Sequence, residues 1–119
     1  MKAIQVENQP VAQGELLMRK IDALPEGLSK MKTEGGRFIV GHSETGHHHV
    51  IPEQEGVVVY ANDNDPLSLY LVVDNPKNSV QLDHERSFDT HKPYEFKDGI
   101  YHIRRQIEDS PRGFVQVAD

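Results

Sequence analysis

Val57-Val58-Val59-Tyr60-Ala61 is the most β-prone run in the chain, and Asn62-Asp63-Asn64-Asp65-Pro66 separates it from Leu67-Ser68-Leu69-Tyr70-Leu71-Val72-Val73. β-Branched and aromatic side chains suit a pleated surface, and the Asn, Asp and Pro between the runs supply turn chemistry. In the second run Leu67, Leu69, Leu71 and Val73 recur at period two, which places them on one face of a strand. The same reading extends outward in both directions. Upstream, Gly35-Gly36 opens Arg37-Phe38-Ile39-Val40, with Phe38, Val40 and His42 on one face, and Gly14 opens Glu15 to Ile21. Ala3-Ile4-Gln5-Val6 reads as a short edge strand. Downstream come Ser79 to Leu82, then Ile100 to Ile107 and finally Phe114 to Val117. The core face of the 100–107 strand is Tyr101, Ile103 and Ile107, with Arg105 as the misfit among them. Only Ser29-Lys30-Met31-Lys32-Thr33 suggests a helical turn, and no long stretch shows a 3.6-residue period. Seven or eight short strands with closely spaced turns predict a single all-β domain over residues 1–119. Its expected form is an antiparallel barrel or sandwich, jelly-roll-like, with little helix.

Composition narrows the classes of function. A chain of 119 residues can bury a core without covalent staples, and with no cysteine it has neither disulfides nor thiolate ligands nor a cysteine nucleophile. The net charge is −6, and Lys and Arg are scattered. Backbone-phosphate binding asks for a basic stripe, so nucleic acid is not expected as a partner. No apolar run is long enough to span a bilayer, and Met1 to Glu7 has no signal-peptide core. A cytoplasmic protein is the expectation. A small-molecule ligand and a homo-oligomer both stay open.

The chemistry concentrates in Gly41-His42-Ser43-Glu44-Thr45-Gly46-His47-His48-His49-Val50-Ile51-Pro52-Glu53, which holds four of the seven histidines. Imidazole is the commonest side-chain metal ligand, and residues i and i+2 of a strand project side by side. His47 and His49 meet that requirement, whereas His48 points the other way. Further ligands must come from elsewhere, the candidates being His91, His84, His102, His42, Glu44 and Glu53. The plain alternative is a polar loop whose imidazoles cap backbone groups, with His102 on a solvated strand face. Arg105 and Gln106 then form a buried hydrogen-bonding pair, since a buried guanidinium needs a partner.

Two resemblances bear on the choice. Gly41-x5-His47-x-His49-x3-Glu53 resembles the first half of the cupin metal motif, and Gly99-x2-His102-x3-Gln106 a degenerate second half. Tyr60 stands where that motif has glycine, Lys97 where it has proline, and Gln106 where it has asparagine. A broader resemblance covers nearly the whole chain. Gln13 to Leu17, Asp22 to Gly27, Glu44 to His49, His91-Lys92-Pro93 through Glu108, and Val117-Ala118-Asp119 are similar to a family of small proteins of phages, prophages and related bacterial gene clusters. The shared features are Gly46, His47, His49, His91, Gly99, Tyr101, Arg105 and Gln106, while Phe96-Lys97-Asp98-Gly99 departs from the family's Leu-Pro-Pro-Gly. Position 102 varies in that pattern. The resemblance thereby lowers His102 as a ligand and raises His91. The expected ligands are His47, His49 and His91, with His84 next, and Glu44, Glu53, His102, Arg105 and Gln106 stay as supporting or alternative groups.

A divalent metal is the expected cofactor, zinc first, with Fe, Ni, Cu or Mn also suited to nitrogen ligands. Three imidazoles leave one coordination position open, the layout in which zinc-bound water reaches a pKa near ~7. Glu44 or His84 would then serve as general base. A metal-dependent hydrolase and a cupin-like oxidoreductase or isomerase are the enzymatic expectations. The rival expectations are a phage-type accessory protein whose histidines stabilise the fold or an oligomer interface, and an anion binder using Arg104 or Arg105.

Overall fold

The computed structural model describes residues 4–13, 15–41, 48–77, 79–84, 94–105, 107–110 and 113–116, and every regular element among them is a β-strand. In chain order these are β1 (Ile4–Gln5), β2 (Val11–Gln13), β3 (Leu16–Ile21), β4 (Leu28–Lys30) and β5 (Arg37–Gly41). They continue with β6 (His49–Pro52), β7 (Val57–Asn62), β8 (Asp65–Val73) and β9 (Val80–His84). The last are β10 (Tyr94–Phe96), β11 (Gly99–Arg105), β12 (Ile107–Ser110) and β13 (Gly113–Gln116). Among the described residues no helix is long and apolar enough to cross a membrane.

Two sheets form the body. One has the order β1-β10-β9-β6-β5 and the other β2-β3-β11-β8-β7-β4, while β12 and β13 make a separate hairpin. Among the described residues all strand pairings are antiparallel except β1 with β10. A single apolar cluster draws on both sheets. Phe38, Val40, Ile51, Val80, Leu82 and Phe96 come from the first, and Leu16, Met18, Val59, Leu71, Tyr101 and Ile103 from the second. Phe96 and Tyr101 meet edge to face across the gap, ring centroids 4.8 Å apart. The Tyr94 hydroxyl, from the first sheet, donates to the Ala12 carbonyl of the second at 2.6 Å. Of the two all-β forms expected, the open sandwich is the one realised. No closed barrel is present among the described residues.

Alternation fixed the central strands correctly and failed at their margins. Leu69, Leu71 and Val73 of β8 are buried, as are Tyr101 and Ile103 of β11. Leu67 is only half-buried, because β8 starts at Asp65, inside the expected loop, and pairs irregularly with Asn62. The helical turn expected at 29–33 is absent. Leu28–Lys30 instead extends the second sheet beside β7, and the Met31 amide donates to the Val59 carbonyl at 2.7 Å. Among the described residues there are thirteen strand segments where seven or eight were expected, and several of them have only two to four residues. Of the strand expected over 100–107, Gly99–Arg105 is β11 of the second sheet, and Ile107 belongs to β12 of the separate hairpin.

Candidate functional site

The first sheet ends, on one side, at three register neighbours. His49 pairs with Gly41 on one flank and with His84 on the other. His49 has no solvent exposure, and Ile51, two residues on, belongs to the apolar core. Because strand side chains alternate, His49 faces the interior between the sheets. From the opposite sheet comes Glu15, on the turn that enters β3, with only 3% of its surface exposed. Gly41 explains how the two fit. A Cβ at that position would lie 3.0 Å from Glu15 Oε1, 3.0 Å from His49 Cδ2 and 3.3 Å from Leu16 Cδ2. Carboxylate and imidazole therefore share a buried volume beside the bare Gly41 backbone, where a side chain would press on both. Glu15 is not among the residues that the histidine pattern singles out. A carboxylate directly before an apolar strand is the one signal for it in the sequence, and its meaning depends on Gly41.

His47, His91, Glu44 and Gln106 lie outside the described residues, and of His84 the structure describes the backbone position. Among the described residues no group of three or more His, Asp and Glu side chains gathers as a metal site. Two supporting candidates are not brought to His49. Glu53 is exposed beyond the far end of β6, where its amide donates to the Gly36 carbonyl at 2.9 Å. His102 lies between the buried Tyr101 and Ile103 on β11, so it projects from the outer face of the second sheet. Arg105 pairs in register with the buried Leu16 and so takes the inner side of β11. One of its terminal nitrogens donates to the Pro66 carbonyl, and its Nε is buried with no hydrogen-bond partner among the described residues.

On the outer face His102 belongs to a separate polar network. Its Nε2 lies 2.9 Å from Ser68 Oγ, and Ser68 Oγ lies 2.9 Å from Asp65 Oδ2. Arg104 Nη1 donates both to Asp65 Oδ2 at 3.1 Å and to Ser68 Oγ at 3.2 Å. The Ser68 hydroxyl, the Leu67 amide and the Arg104 guanidinium hold the Asp65 carboxyl below its ordinary pKa, against the opposing effect of burial. Ser68 has one proton to give, and the ionised Asp65 can only accept it. Toward His102 the serine oxygen is therefore an acceptor, and Nε2 carries the hydrogen. This wiring does not activate a nucleophile, since a serine hydrolase needs an imidazole that takes the serine proton and a carboxylate behind the imidazole. Burial, with Arg19 and Arg104 adding to it, lowers the pKa of His102, so the ring is neutral near pH 7. The Tyr70 ring stacks on it at 4.9 Å with an interplanar angle of 21°.

No curated protein and no solved structure matches the chain. A family model does match, over residues 12–106, a span that takes in Glu15, Gly41, His49, His84, His91 and Arg105. The chain belongs to the family described as Domain of unknown function (DUF8820).

Proposed function

We propose that this chain is a divalent-metal-binding β-sandwich protein whose ion sits at the sheet end marked by Gly41, His49 and His84. The supporting observation is the fully buried His49 imidazole, which shares the Gly41 volume with the buried Glu15 carboxylate. A buried charge is costly unless it is paired or bound to a metal, and imidazole with carboxylate is a common donor set for zinc. His47 and His91, named from the sequence, with His84 at the register position opposite His49, complete the proposed ligand set. Such an ion supplies Lewis acidity and acidifies a bound water when a coordination position stays open. Glu44 and Gln106 are the proposed supporting groups. The resemblance to phage and prophage proteins adds an accessory role in that setting.

A second reading is favoured by the complete burial of His49. A closed ion between the sheets is structural, and the chain is then an interaction or accessory protein without catalysis. Metal content of protein purified without a tag tests the shared claim. One equivalent of zinc, iron, nickel or manganese per chain is expected, absent from the His47→Ala/His49→Ala double variant. A folded protein that takes up no metal on dialysis against these ions, or a double variant that keeps it, overturns the proposal.

A further inference from the structure

On the outer face of the second sheet three side chains stand in a row across three adjacent strands. Tyr70 of β8 is the register partner of His102 of β11, which is the partner of Arg19 of β3. Together with Ile21, Ala23, Leu24 and Pro25 these residues line a groove of about 390 Å³. That is the size range of pockets for small organic ligands. Its lining divides in two, an apolar wall built from the segment after β3 and a polar row on the sheet.

The charge in the groove is unbalanced. Arg104, beside it, is neutralised by Asp65. Arg19 makes no hydrogen bond or ion pair among the described residues, and neither does the Tyr70 hydroxyl. His102 contributes a rigid neutral ring, pinned by Ser68 through Nε2 and by stacking on Tyr70. A guanidinium without a counter-ion, in a concave apolar setting on a chain of net charge −6, calls for an anion. We propose that this groove binds a small organic oxyanion, a carboxylate or a phosphate monoester on a compact apolar body. The anionic head pairs with Arg19, and the body packs on Leu24 and Pro25. The groove lies on the face opposite to His49, so this binding is independent of any metal.

Titration of the full-length ¹⁵N-labelled protein by NMR tests it, with benzoate and phenyl phosphate in separate arms and benzyl alcohol as the uncharged probe. Saturable shifts confined to residues 19–25, 70 and 102 are expected with one or both anions. Benzoate alone identifies carboxylates, phenyl phosphate alone identifies phosphate esters, and both identify a general oxyanion site. Arg19→Gln, at an exposed position, should weaken binding by roughly tenfold or more, the loss expected for a charged hydrogen bond. Lys32→Gln should leave it unchanged. Absence of saturable shifts with both anions overturns the proposal, as does equal affinity for benzyl alcohol or an unaffected Arg19→Gln variant.

Discussion

Gly41 carries more of the candidate site than any histidine, because its missing side chain leaves Glu15 and His49 room that a Cβ would crowd. Gly41→Ala puts a Cβ 3.0 Å from both, closer than side chains tolerate without moving. Overpacking of this kind costs roughly 1–3 kcal/mol. Urea unfolding of Gly41→Ala should show that loss, and its metal content should fall with it. An unchanged midpoint would mean that neither neighbour is fixed. Two aromatic groups give pH tests. Burial pushes the Tyr101 hydroxyl, which donates to the Lys97 carbonyl, up to about 12. In the unfolded chain it ionises near ~10, so between these values the native state holds the extra proton and stability falls as pH rises. Tyr101→Phe should flatten the unfolding free energy over that range while lowering it by about 1 kcal/mol near neutrality, through loss of the hydrogen bond. His102 has the opposite sign. Its folded pKa lies below the unfolded value, so its contribution is present at neutral pH and is lost as pH falls through that window. An NMR titration should find its pKa raised toward the ordinary imidazole value in Arg19→Gln, which removes one of the charges that lowers it.

The strands show which parts of this fold were legible in the sequence. β8 and β11 were readable because each pairs on both sides and buries one face, so Leu69, Leu71, Val73, Tyr101 and Ile103 repeat at period two. β4 was not readable, since Leu28–Lys30 is strand only by its pairing with β7, and nothing local distinguishes it from a turn. The site divides in the same way. His49 stood out through the local run of imidazoles, whereas Glu15 matters through a glycine 26 positions away and a contact between sheets. The shortest elements are held by what they pack against. β10 has three residues, yet Phe96 is fully buried and meets Tyr101 edge to face. Phe96→Ala should therefore cost about 3–5 kcal/mol, the range for deleting a buried aromatic ring. Denaturant unfolding would show a loss well below that if the sheets were not held together there.

At the scale of the whole molecule, the Gly41 site joins the two sheets, because Glu15 enters from one and His49 from the other. An ion bound there would act as a cross-link between the sheets and would belong to the folding free energy of the sandwich. Binding to the native state alone stabilises by RT ln(1 + [L]/Kd), which is about 2.7 kcal/mol at a hundredfold excess over Kd. For a chain of this length that is on the order of 10 °C in Tm. Chelation should lower the Tm of metal-loaded protein by about this amount, and adding back the ion should restore it. In His49→Ala the same chelator should change nothing. If chelation removes a stoichiometric ion and the Tm stays put, the ion is outside the interior, and His49 with Glu15 is a buried polar pair of the core. If the Tm falls and a folded apo state persists, that state keeps the sheets together through Phe96, Tyr101 and the Tyr94 to Ala12 hydrogen bond, and the ion is free to serve chemistry as well as structure.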